Sequence, residues 1–167
     1  MDKELIKGLI AEYQQFVKSV SFVKRAVTLS DNFNYVFVGL RRVGKSYLMY
    51  QQIHHLIETG ISPEEILFFN FEDERIAGMD TEHLDMIKRC YEEMYSHRPI
   101  FFLDEIQIVP HWEQFVRRLA DQKYRVYVTG SNAKMLSKDI ATTLGGRFMI
   151  QYVYPFSFRE YLSSNGV

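Results

Sequence analysis

Cysteine is almost absent from the sequence: Cys90 is the single one in 167 residues. An intramolecular disulfide and a cysteine-based zinc site are therefore both excluded. Proline and glycine are sparse, at 4 and 9 residues, which excludes collagen-like and low-complexity chains. There is no excess of either charge, with 20 Lys and Arg against 21 Asp and Glu. A dedicated polybasic nucleic-acid binder would be strongly basic, so at most local basic patches remain. The longest apolar runs reach only about half a dozen residues, far short of a membrane span. No apolar stretch backs Met1-Asp2-Lys3-Glu4, so no signal peptide is expected and the protein reads as cytoplasmic. What is present is apolar: hydrophobic residues make up 47% of the chain, which rules out global disorder. The length fits one domain, large enough to fold on its core alone.

Helical and strand-like patterns alternate along the chain. Leu5, Ile6, Leu9, Ile10, Tyr13, Phe16 and Val17 recur at helical spacing, predicting an amphipathic N-terminal helix within residues 1–20. Tyr35-Val36-Phe37-Val38-Gly39 reads as a buried strand, followed by a helical pattern over 44–58. Ser62-Pro63-Glu64-Glu65 is a turn or helix-start signal. Further strands are expected at 66–69, 100–103, 125–129 and 148–153, with helices over 81–96 and around Trp112 to Leu119. An aromatic segment from Pro155 to Leu162 starts another helix. Continuously apolar strands separated by helices predict an α/β fold, a three-layer sandwich around a parallel five-stranded sheet.

Gly39-Leu40-Arg41-Arg42-Val43-Gly44-Lys45-Ser46 matches G-x-x-x-x-G-K-[ST] at every fixed position. Glycines there let main-chain N–H groups face phosphates. Lys45 supplies a point charge to the β/γ-phosphates, and the Ser46 hydroxyl suits a hard cation such as Mg2+. The helix that follows, opening Lys45-Ser46-Tyr47, adds its positive N-terminal end. The binding set is thus Gly39 through Tyr47.

Asp104-Glu105 closes an apolar strand, a Walker B pattern in which Asp104 holds Mg2+ and Glu105 polarises the attacking water. One strand lies between the loop strand and the acidic strand. With a catalytic Glu, that predicts the additional-strand division of P-loop ATPases and a sheet order of 5-1-4-3-2. A GTPase is disfavoured, because Asp104 is followed by Glu105-Ile106-Gln107 rather than D-x-x-G, and no N-K-x-D string is present. The fourth strand ends in Thr129-Gly130-Ser131-Asn132, where Ser131 or Asn132 is placed to orient water or sense the γ-phosphate. A turn built from good turn residues is the plainer reading of the same string.

These strings, with Gly146-Arg147-Phe148 and Tyr154-Pro155-Phe156-Ser157-Phe158-Arg159-Glu160-Tyr161-Leu162, resemble a prokaryotic AAA-type ATPase family of the AAA+ superfamily. The resemblance runs from about residue 20 to the end, so residues 21–167 are expected to form the ATPase domain. It implies ATP as ligand, Mg2+ as cofactor, hydrolysis to ADP and phosphate, and a C-terminal domain beyond this one that takes the output. Arg147 is then a candidate arginine finger acting in trans on a second copy, or an arginine exposed at the start of a strand. No sensor-2 arginine is recognisable. A nucleotide-operated switch with negligible turnover is the alternative function.

Other residues carry plainer readings. Arg41 and Arg42 are expected to face water. Arg117 and Arg118 form a solvated helix face in preference to a nucleic-acid surface. Glu72 and Asp73 end the second strand, where a secondary role in controlling Glu105 is conceivable. Cys90 is expected to be a structural thiol.

Overall fold

The structure is a computed structural model that describes residues 1–131, 135 and 138–166. Five strands form one sheet in the order β2-β3-β4-β1-β5. They are β1 (Asn34–Gly39), β2 (Ile66–Asn70), β3 (Ile100–Asp104), β4 (Val126–Ser131) and β5 (Phe148–Tyr152), and every pairing is parallel. Read from the other edge this is the predicted order. The helices are α1 (Lys3–Ser19), α2 (Lys45–Glu58), α3 (Thr81–Met94), α4 (Trp112–Asp121), α5 (Lys138–Leu144) and α6 (Phe158–Ser164).

The chain leaves β1 toward the β2 edge and then returns strand by strand. Right-handed crossovers therefore put α2 on one face and α3, α4 and α5 on the other. The apolar face of α1 lies against β2, α2 and α3, within the same core as the sheet. β1 to β4 are continuous apolar runs because both faces are covered. Phe37, Phe68, Phe69, Phe101 and Phe102 are all fully buried.

β5 departs from that expectation. It is an edge strand, and Met149, Ile150 and Tyr152 are exposed. Several boundaries also move by a residue or two, as at the end of α3, where Tyr95 already has extended backbone. Caps fix the starts. Asp2 accepts from the Glu4 N–H, Asp80 forms a capping box with His83, and Ser157 forms one with Glu160. α2 stops at Gly60, whose φ of 110° is open to glycine at little steric cost. α5 was not anticipated from the sequence pattern.

Candidate nucleotide site

All parallel strands point their C-terminal ends one way, and the phosphate loop lies there, between β1 and α2. Gly39 is tightly enclosed: a Cβ at this position would come 2.5 Å from the Val153 carbonyl oxygen and 2.8 Å from Val43 Cγ2. Gly44 has φ of 95°, the left-handed region, at the first turn of α2. The two fixed glycines of the motif are thus required for different reasons, one steric and one conformational.

Lys45 is buried, with its ammonium donating to the Gly39 carbonyl at 3.1 Å and the Leu40 carbonyl at 2.9 Å. It also stands 3.8 Å from Glu105 Oε1. The ammonium and the candidate base thus face each other across the loop, and a phosphate oxygen would compete with the two carbonyls for the lysine donors. Arg41 is highly exposed and reaches Glu72 at 3.4 Å, so it has a partner other than water. Arg42 has φ of 63°, a backbone conformation that costs a non-glycine residue energy. Leu40 and Tyr47 are exposed, and Tyr47 flanks the loop.

Below the loop runs a chain of hydrogen bonds. The Ser46 hydroxyl donates to Asp104 Oδ2 at 2.7 Å, and the Thr129 hydroxyl donates to Asp104 Oδ1 at 2.5 Å. Thr129 Oγ1 in turn accepts from the Glu105 main-chain N–H at 2.8 Å. Burial pushes the Asp104 carboxyl up to about 6, reinforced by the nearby Glu105 and Glu72 carboxylates and opposed by its two hydroxyl donors. A buried carboxylate beside a hydroxyl, under excess negative charge, is a donor set that suits a hard divalent cation. Ser46 and Asp104 would hold it.

Glu105 adopts φ of 56° immediately after β3, a strained conformation for a non-glycine residue at the heart of the site. Gln107 Nε2 donates to Glu105 Oε2 at 2.5 Å. The side chain is thus oriented by Gln107 on one side and faces Lys45 on the other. Ser131 pairs in register with Gly39, directly beside the start of the loop. Asn132, its alternative, lies outside the described residues.

Two cavities meet at the loop. One, of about 370 Å³, the polar cavity, takes charged and hydroxyl side chains into its wall, bordering Arg41, Lys45, Ser46, Glu72 and Glu105. The other, of about 750 Å³, is apolar and borders Phe22, Val23, Val43, Tyr47 and Phe156. Arg42, Gly44 and Tyr47 line both. Sequence reasoning found the polar compartment and missed the apolar one, along with Arg25, Thr129 and Gln107.

The remaining expected residues lie elsewhere. Arg147 sits at the N-terminal end of β5, the opposite end of the sheet from this chain's own loop, and pairs with Asp121 at 2.5 Å. Asp73 caps the short helix Glu74–Ile76 and accepts from the Tyr13 hydroxyl at 2.6 Å, bonded also to Arg75. The pair expected to end the second strand lies beyond it, since β2 stops at Asn70, and of the two Glu72 borders the polar cavity. Arg118 pairs with Asp85 at 2.6 Å and Arg117 lies 3.9 Å from Asp121, as expected for a solvated face. Cys90 is buried against the Lys3 carbonyl, and burial pushes its thiol up. No helix among the described residues is long and apolar enough to cross a membrane.

A parallel sheet with the phosphate loop after β1, an acidic pair after β3 and a strand between them defines a P-loop ATPase domain of the AAA+ type. The AAA domain family model matches residues 31–162, and the chain belongs to that family. It is 33% identical over 162 residues to the uncharacterized protein MJ1544 of Methanocaldococcus jannaschii, covering 96% of this chain and 35% of that protein. The chain spans about a third of the length of the curated relatives it matches. Its fold is similar to that of Hsp104 in a closed-state complex with ATPγS and casein, with TM-score 0.54 and 13% identity, over 96% of this chain and 28% of that one. It is also similar to the Aeropyrum pernix ORC1 protein in complex with DNA, with TM-score 0.52 and 15% identity, over 98% of this chain and 49% of that one.

Proposed function

We propose that this domain binds ATP with Mg2+ and hydrolyses it to ADP and phosphate, working in the cytoplasm as the N-terminal engine of a longer protein. The observation that carries this reading is the facing of Lys45 and Glu105 across the loop at 3.8 Å, above the Ser46–Asp104 pair. The two cavities divide the ligand by chemistry: the triphosphate occupies the polar one, and the base and ribose occupy the apolar one. Lys45 and the loop N–H groups hold the β/γ-phosphates. Ser46 and Asp104 hold Mg2+, which neutralises phosphate charge when bound. Glu105 takes a proton from the attacking water, and Ser131 or Asn132 orients that water.

Glu105→Gln tests the reading. The variant should bind ATP as tightly as the parent while phosphate release falls at least about a hundredfold. Unchanged turnover would remove Glu105 as the base.

The switch reading draws support from Arg147. No arginine of the far strand end can reach this chain's own phosphates, so turnover of the isolated domain is slow until a second copy or another partner supplies one. The partners are then ATP or ADP, a further copy and the C-terminal region that takes the output. Turnover that rises steeply with protein concentration, and that Arg147→Ala abolishes, would favour self-association. The Arg117–Arg118 face, already ion-paired, gives a nucleic-acid partner little support.

A further inference from the structure

The segment from Tyr154 to Leu162 is conspicuous in the sequence and has no part in the phosphate chemistry. Its helix α6 buries none of its residues, so hydrophobic burial is not what fixes it in place. Among the described residues, one side chain from the other end of the chain, Arg25, meets it at several points. Arg25 is 7% exposed, and its Nη1 donates to the Val43 carbonyl of the phosphate loop at 3.0 Å. Its Nη2 donates to the Tyr154 carbonyl, and its Nε lies 3.3 Å from Glu160 Oε1, a carboxylate only 12% exposed. The guanidinium also covers the Phe156 ring, 4.8 Å from its centroid. The planar fork of arginine is suited to reaching several walls at once.

Both partners are themselves fixed. The Arg25 main chain donates to Gln51 Oε1 at 2.7 Å and accepts from Gln51 Nε2 at 3.1 Å, which ties it to α2. Glu160 accepts from Ser157 N at 2.9 Å and from Ala26 N at 3.3 Å. The Pro155–Phe156 turn, which forms one wall of the apolar cavity, therefore lies between two points that both contact Arg25, the Tyr154 carbonyl and Glu160.

We propose that Arg25 and Glu160 are positioning residues for the nucleoside half of the ligand: their ion pair sets the Phe156 wall against the phosphate loop and so forms the base compartment. This rests on the nucleotide reading above. Because Arg25 also grips the Val43 carbonyl, the position of α6 is tied to that of the loop. Neutralising Glu160 removes the ionic hold of α6 on Arg25 while the guanidinium keeps its two carbonyl acceptors, and the wall relaxes.

The test compares ATP with inorganic tripolyphosphate, each with Mg2+, by calorimetry on the folded chain. Tripolyphosphate fills the phosphate compartment and touches no base wall. Glu160→Gln should weaken ATP binding about tenfold or more and leave tripolyphosphate within about twofold of the parent. Phe156→Ala removes the wall and its contact with the guanidinium while leaving the Arg25–Glu160 ion pair in place; its side chain lies outside the core, and it should give the same pattern. Equal loss of both ligands in a folded variant would mean that the pair merely props the phosphate loop, and no loss of either would mean that it does nothing for binding; both results overturn the proposal. A parent protein that binds tripolyphosphate but not ATP refutes the base compartment alone. One that binds neither refutes the nucleotide reading and this inference with it.

Discussion

Two aspartates follow neighbouring strands at the same end of the sheet and behave in opposite ways. Asp104 ends β3 in the core, where two neutral hydroxyls, Ser46 and Thr129, donate to its carboxylate, and burial pushes its carboxyl up to about 6. Asp73 follows β2, and the Arg75 guanidinium beside it, helped by the Tyr13 hydroxyl, holds its carboxyl well below the usual carboxylate range. One charge is left without compensation at a place where a cation would supply it. The other is compensated within the fold, by a guanidinium that also pairs with Glu12 on α1. Proximity to the strand ends therefore does not make an acid functional. What separates the two is whether the fold neutralises the charge or leaves that to a ligand.

The contrast is sharpest in one substitution. Asp104→Asn should lower ATP turnover at least about a hundredfold and yet raise stability in chelator-containing buffer. A raised carboxylate pKa means that the folded chain binds the proton more tightly than the unfolded chain. Stability from this group is present below its unfolded value near 4 and is lost as pH rises through about 6. At pH 8 the ionised form is a burden on the order of 1–3 kcal/mol, which asparagine removes. Thermal melts at pH 8 and pH 5 measure this: the gain should be present at the first and shrink at the second. A destabilised variant at pH 8 would break the contrast.

Asp73→Asn should do the reverse, with a smaller effect. Its lowered pKa contributes stability that is present above the unfolded value near 4 and lost as pH falls through the lower folded value. The variant should lose about 1–2 kcal/mol at pH 7 and show a flatter acid limb, with turnover within about threefold of the parent. Denaturant melts across pH 3 to 7 check this. A Glu105-like collapse of turnover would return Asp73 to the active site.

The sequence made the phosphate half of the site legible because that half is local. Gly39 to Ser46 is one continuous string, and Asp104-Glu105 is marked by the apolar run before it. The strands of the sheet were legible for a similar reason: burial on both faces writes continuous apolar runs, while their order followed from the strand between the phosphate loop and the acidic pair, the mark of the additional-strand division of P-loop ATPases. β5 misled only in its exposure, since an edge strand can be as apolar as a central one. Thr129 was in view within Thr129-Gly130-Ser131-Asn132, but only the register of β3 against β4 brings it under Asp104. Gln107 follows Glu105 too closely for any periodic signal. Arg25 was the least accessible of all, because its partners at Val43, Tyr154 and Glu160 are scattered along the chain and residues 20–30 carry no regular pattern.

The central claim is that the loop from Gly39 to Ser46 holds a nucleotide triphosphate tail. Isothermal calorimetry with ATP and Mg2+, on the parent and on Lys45→Ala, addresses it most directly. A saturable heat at one site per chain, lost or weakened about a hundredfold in Lys45→Ala while both proteins melt cooperatively, is the expected result. Equal heats from the two folded proteins, or none from either, would contradict it.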